Sequence, residues 1–188
     1  MWRIVFLLIL SGCASAVPEV KSPPDALVWT PEAPFARDQK IEIPSEAVGL
    51  FHFLKGQLLL GQGDFDEALK EFEAAARANP ADSFLHFRLA TLYLRKGDLK
   101  RAVVEAEIAV STDSKGVDNH LLLAGLYSSL GENQKGIIEY TEVLKLDPQN
   151  QEAMLYLGAL YLQLEDYERA NKNLEELLKL EPNSTLGH

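Results

Sequence analysis

Apolar residues fall along this chain in three successive patterns. Ile4 to Leu10 is an unbroken apolar run of seven residues, preceded by one charge, Arg3, and followed by Ser11 and Gly12. Such a run is too short to span a bilayer, which takes about 20 apolar residues. An early charge, a short apolar core and small residues behind it make the pattern of a secretory signal peptide. From Val17 to Pro44 no helical period is sustained. Six of the nine prolines fall there (Pro18, Pro23, Pro24, Pro31, Pro34 and Pro44), which predicts an extended, polyproline-like tether. Beyond Pro44 the composition turns to leucine, alanine and glutamate, and the pattern repeats. GDFDEALKEFEAAARANP (63–80), GDLKRAVVEAEIAVSTDS (97–114), GENQKGIIEYTEVLKLDP (131–148) and EDYERANKNLEELLKLEP (165–182) each start 34 residues after the one before. Pro80, Pro148 and Pro182 share one phase of that period. A fixed period of this length predicts a stack of like units, each burying its apolar face on the next.

The repeat resembles the tetratricopeptide repeat family, whose unit is a 34-residue pair of antiparallel helices. The family's small residue in the first helix matches Gly56, Ala90, Ala124 and Gly158, and its tyrosine three positions later matches Leu59, Tyr93, Tyr127 and Tyr161. Its small residue early in the second helix matches Ala68, Ala102, Gly136 and Ala170, and the large apolar one four later is Phe72, Ala106, Tyr140 and Leu174. Small residues at these positions let paired helices approach closely. Gly63, Gly97 and Gly131 suit the left-handed conformation that ends a helix before a tight turn. Glu165, in place of that glycine, and Ser114, in place of the proline, are departures, as are Val143 and Leu177 at a position that is usually smaller. The resemblance implies an all-α fold, a right-handed superhelical solenoid of antiparallel helix pairs. The implied units are 49–82, 83–116, 117–150 and 151–184, within a domain of 45–184, and residues 185–188 begin a fifth.

Cysteine occurs once, at Cys13, so it has no internal disulfide partner. Leu10-Ser11-Gly12-Cys13 resembles the lipobox of bacterial lipoproteins, in which the cysteine takes diacylglycerol, the signal is cut before it, and the new amino terminus is acylated. That resemblance implies a signal over 1–12, a lipidated terminus and tether over 13–44, and attachment to a lipid bilayer through Cys13, since several acyl chains together give stable anchoring. The alternative is an ordinary secretory signal cut after Ala14-Ser15-Ala16. With Ala14 rather than aspartate after the cysteine, the family's sorting rule points to the outer membrane, with the array facing the periplasm.

Chemistry is sparse. No Gly-rich phosphate loop, paired-cysteine motif or Ser/His/Asp set stands out, so no catalytic residue, cofactor or enzymatic activity is expected. A formal charge of −10 argues against a nucleic-acid partner. Glu67, Glu71, Glu105, Glu139 and Glu168 read as a solvated outer face. His52, His86, His120 and His188 share one phase of the repeat. No carboxylate or cysteine shares it, so packing between helices is expected rather than a metal ladder. Leu174 and Leu178 are expected to lie bare at the end of the fourth pair. Either the chain continues as a longer array, or that end pairs with a second molecule.

In the tetratricopeptide family a concave groove is lined by five positions of each first helix. Here these are Leu50, Phe53, Gln57, Leu60 and Gly61, then Phe84, Phe87, Thr91, Leu94 and Arg95. The third unit supplies Asp118, Leu121, Gly125, Ser128 and Ser129, and the fourth Glu152, Leu155, Ala159, Leu162 and Gln163. Family members that bind chaperone tails use lysine and asparagine here; only Arg95 could hold an anion in this chain. Phe53, Phe84, Phe87 and Leu94 form an apolar set that is costly to leave in water. An apolar helix or extended segment of a partner protein could fill it. So could this chain's own ALVWTPEAPF (26–35), or the side chains could pack on one another. The resulting expectation is a membrane-anchored scaffold in an envelope assembly or export complex. The competing expectations are an accessory region of a longer enzyme and a self-associating structural lipoprotein.

Overall fold

The computed structural model describes residues 42–180. Cys13, the apolar run, most of the tether and His188 lie outside the described residues. Eight α-helices follow one another: α1 (Ser45–Gln62), α2 (Phe65–Ala78), α3 (Ser83–Lys96), α4 (Leu99–Thr112), α5 (Val117–Ser129), α6 (Asn133–Leu146), α7 (Gln151–Gln163) and α8 (Tyr167–Leu180). There is no strand among the described residues. The helices pack as pairs, α1 with α2 through α7 with α8, and each pair leans on the next through α2–α3, α4–α5 and α6–α7. This is the solenoid of helix pairs that the 34-residue period implies.

Local chemistry repeats with the period. On α2, Ala68, Leu69, Phe72, Ala75 and Ala76 are buried, one helical face of i, i+4 and i+7 neighbours. The first three tight turns pass through Gly63, Gly97 and Gly131 at φ 84°, 82° and 75°, where a Cβ would be strained. Each is closed by a bond from the next residue's N–H back to the first helix: Asp64 to the Leu59 carbonyl at 2.9 Å, Asp98 to Tyr93 at 2.9 Å, Glu132 to Tyr127 at 2.9 Å. Asp166 to Tyr161 at 2.8 Å closes the fourth turn in the same way, with Glu165 forced to φ 59°. The acid after the turn then serves the next helix. Asp64, Asp98 and Asp166 accept from the N–H three residues on, satisfying donors that a helix start leaves free. Arg101 and Arg169 bond those aspartates at 2.5 Å through Nε and lie over the rings of Tyr93 and Tyr161.

Two apolar clusters run through the pairs. Phe72, Leu89, Tyr93 and Leu126 belong to the first, and Tyr140, Val143, Leu157 and Tyr161 to the second. Closest approach is set by small residues: a Cβ on Gly56 would stand 2.9 Å from the Phe72 ring, and one on Gly158 3.0 Å from Leu174. That second contact alters the expectation for the last pair. Leu174 and Leu178 are half-buried rather than bare, because α8 lays Leu174 into the gap left by Gly158.

Candidate protein-binding cleft

The first helices of successive pairs line up on one side, and α3 touches α5 directly there. Between them lies a cleft of about 670 Å³, lined by Phe87 and Leu94 from α3, Asp118, Leu121, Leu122, Gly125, Leu126, Ser128 and Ser129 from α5, Tyr140 from α6, and Glu152 and Tyr156 from α7. Its floor is apolar, and Gly125 holds it open: a Cβ there would meet only the Tyr140 hydroxyl, at 3.8 Å. Ser128 and Ser129 spend their hydroxyl protons on the carbonyls of Ala124 and Gly125, both at 2.8 Å, so they present acceptors to the cleft. Asp118 and Glu152 add carboxylates, and no lysine or arginine lines it. Tyr140 is buried and stacks on Tyr156 at 5.8 Å; burial pushes its phenol up to about 12.

The expected groove residues divide among three places. Phe87, Leu94 and Leu121 line the large cleft. Leu50, Phe53 and Phe84 line a second hollow of about 310 Å³ between α1 and α3, where Phe53 sits edge-on to both Phe72 and Phe84. Leu60, Thr91 and Arg95 border a third of about 200 Å³ with Phe65 and Arg88. Gln57 accepts a bond from Arg88 Nη2 at 3.1 Å, and Thr91 spends its hydroxyl on the Phe87 carbonyl. Arg95 stacks on the Phe65 ring at 3.6 Å, a cation–π contact that occupies its face. Leu155 and Leu162 do not line the large cleft. Phe53 and Phe84 thus line one hollow, and Phe87 and Leu94 another. Tyr140 and Tyr156, absent from the expected set, supply much of the real cleft wall; Tyr140 comes from a second helix, and Tyr156 lies one position beyond the expected lining position Leu155.

The three described histidines pack where expected but have partners the repeat phase does not show. They pack between helices, but each faces a carboxylate: His52 Nδ1 lies 2.7 Å from Glu71, His86 2.7 Å from Glu105 and His120 2.6 Å from Glu139. The partner comes from the second helix of the same pair, nineteen residues on, and so from a different phase. Glu71, Glu105 and Glu139 are thus half-buried structural partners rather than a solvated face. The Nε2 atoms of His86 and His120 face the carbonyls of Pro80 and Ser114, at 3.1 and 3.2 Å. At Glu71, bonds from His52 and then Lys55 hold the carboxyl below its usual range. Among the described residues no three His, Cys, Asp or Glu side chains converge as a metal site.

Models of the tetratricopeptide repeat match residues 53–113, 117–150 and 139–188. No curated protein matches the chain. Among solved structures, a tetratricopeptide repeat protein from Parabacteroides merdae ATCC 43184 is similar at 29% identity and TM-score 0.71, over 74% of this chain and 56% of that one. The chain therefore spans little more than half of that protein's length. YrrB, described as a repeat protein of this kind with an unusual peptide-binding site, is 20% identical at TM-score 0.67, over 74% of this chain and 72% of its own. The first repeat domain of Spaghetti (RPAP3), solved with the HSP90 peptide SRMEEVD, is 23% identical at TM-score 0.59, over 64% of this chain and 95% of its own. At such identities the last two likenesses are likenesses of fold.

Proposed function

Because this chain is a tetratricopeptide repeat protein, we propose that it is a scaffold for binding other proteins and that its α3–α5–α7 cleft takes an apolar segment of a partner protein carrying at least one basic residue. The cleft's composition supports this reading: apolar side chains and a tyrosine stack on its floor, carboxylates at Asp118 and Glu152, and no cation. An acidic tail would meet only like charge there, which costs affinity. Peptide-binding sites described for YrrB and for the Spaghetti domain fit the same class of use. For where the protein works, the lipobox-like Leu10-Ser11-Gly12-Cys13 supports a proposal. Lipid on Cys13 would hold the array at the periplasmic side of the outer membrane, as a non-catalytic member of an envelope assembly or export complex. Association between copies through the Leu174–Leu178 end is a weaker proposal, since both side chains are half-buried.

A photocrosslinker at Phe87 in intact cells tests the reading, with Cys13→Ser alongside. Capture of a discrete envelope protein, lost on Phe87 neighbour substitution Leu121→Asp and reduced without the anchor, is the expected result. Crosslinks confined to residues 26–35 of the same chain would show the cleft to be self-filled and overturn it.

A further inference from the structure

Among the described residues, a cation sits on a tyrosine and is held there by a carboxylate in three places. Arg101 lies over the Tyr93 ring, its guanidinium carbon 4.4 Å from the centroid, and its Nε donates to Asp98 at 2.5 Å. Arg169 lies over Tyr161 at 4.5 Å, and its Nε donates to Asp166 at 2.5 Å. Lys135 Nζ stands 4.9 Å over Tyr127 and 2.5 Å from Glu132. The negative face of the ring attracts the cation, and the charged hydrogen bond fixes its orientation.

Tyr156, on the wall of the large cleft, also has a ring and carboxylates, and none of the described residues that line this cleft is a lysine or arginine. One face of the ring stacks on Tyr140, with centroids 5.8 Å apart and planes 20° from parallel. Tyr156 is still 47% exposed, so its opposite face is open to the cleft. Glu152 precedes it by one turn of α7, on the same side of the helix. The charge of Glu152 reaches the stack: burial, then Tyr156, then Glu152 push the Tyr140 phenol up. Asp118 on α5 lines the same cleft. Neither Asp118 nor Glu152 has an ion-pair partner among the described residues.

Of the two basic side chains, arginine suits this place better. Its planar guanidinium can cover an aromatic face while its in-plane N–H donors still point outward to more than one carboxylate. The ammonium of lysine is a compact, more strongly hydrated point charge, and it gains less from a flat wall. We propose that the basic residue of the segment bound in the α3–α5–α7 cleft is an arginine, its guanidinium flat on the open face of Tyr156 and its edge donating to Glu152 and Asp118. This rests on the reading of that cleft as the seat of a protein segment. It also gives the segment a direction, with apolar side chains toward Phe87 and Leu94 on α3 and the arginine toward α7.

The test pans a phage library of random dodecapeptides against the full chain and measures the selected peptides by fluorescence anisotropy. Expected are peptides that carry arginine among apolar residues and are lost with Leu121→Asp. Replacing that arginine by lysine should weaken binding about fivefold, and replacing it by the neutral isostere citrulline about tenfold. Glu152→Gln should weaken the arginine peptide about tenfold and leave the citrulline peptide unchanged, a split that a merely structural change in α7 would not give. Tyr156→Leu should cost about fivefold, and Tyr156→Phe, which keeps a ring, much less. Equal binding of the arginine peptide and its lysine or citrulline variants, or no effect of Glu152→Gln, overturns the arginine assignment and leaves the cleft reading standing. Peptides that still bind after Leu121→Asp, or no selected peptide at all, overturn both.

Discussion

The third helix pair offers one substitution with two opposite outcomes a few residues apart. Gly125 on α5 and Gly136 on α6 are both inside helices, where alanine is intrinsically better by about 0.5–1 kcal/mol. At Gly125 the added Cβ meets only the Tyr140 hydroxyl, at 3.8 Å, so Gly125→Ala keeps the whole gain. At Gly136 it meets Ser128 Oγ at 2.8 Å, the Ala124 carbonyl oxygen at 3.2 Å and Leu160 Cδ1 at 3.3 Å. The carbonyl is backbone, and Ser128 is already bonded to it at 2.8 Å, so neither yields freely. Overpacking of this kind costs about 1–3 kcal/mol, which leaves Gly136→Ala destabilised by roughly 0.5–2 kcal/mol after the helical gain. The two variants should therefore differ by about 1–3 kcal/mol. Urea unfolding followed by helical circular dichroism measures this, using the whole curve because repeat arrays need not unfold in one step. Equal midpoints for the two variants would refute the reasoning and mean that α5 and α6 have slack to separate.

Glu165→Gly should stabilise by about 0.5–1 kcal/mol, since φ 59° strains a non-glycine residue, whereas Gly97→Ala should cost at least as much; thermal melts of both decide it. Glu105→Leu strands His86, which is 7% exposed and has acceptors at both ring nitrogens, and should cost about 1–3 kcal/mol. Adding His86→Phe should recover most of that loss in the same denaturation assay, and no recovery would refute the pairing. At alkaline pH, Tyr93 is pushed up to about 12 by burial and by its bond to Glu73, and Tyr140 to about 12 by burial. The fold thus favours the protonated phenols. Their contribution is complete below pH 10, the ordinary phenol value, and is lost as pH rises through 12. Urea midpoints against pH should fall over that window, and less steeply in Tyr93→Phe and Tyr140→Phe.

The helix pairs were legible because their determinants are local and recur: a glycine at each of the first three turns, an acid after it, small residues where helices touch. Even the departure at Glu165 shows in the sequence, and it is the non-glycine residue left at positive φ. The cleft was harder. A search confined to five positions of each first helix omits Tyr140, which projects from a second helix, and Tyr156, which lies beside one of those positions. It also gives no sign that Phe53 packs edge-on against Phe72 as well as Phe84. The histidine pairing escaped for a similar reason. Its carboxylates lie in another phase, and only the antiparallel return of the second helix brings Glu105 to His86. Leu174 needed knowledge that Gly158 leaves a gap for it, which is a property of two helices rather than of either sequence.

The His–Glu pairing has an uneven distribution along the array. Where the first three units have histidine and glutamate, the fourth has Met154 and Asn173, and it also carries the strained Glu165. In a one-dimensional array each unit opens according to its own ties and those to its neighbours, and the strain at Glu165 makes α7 and α8 the pair expected to detach first. The large cleft takes Glu152 and Tyr156 from α7 and Phe87 and Leu94 from α3. An occupant would therefore act as a staple, fastening the loosest pair to the centre, and its arrival would be registered as slower fraying of α7 and α8.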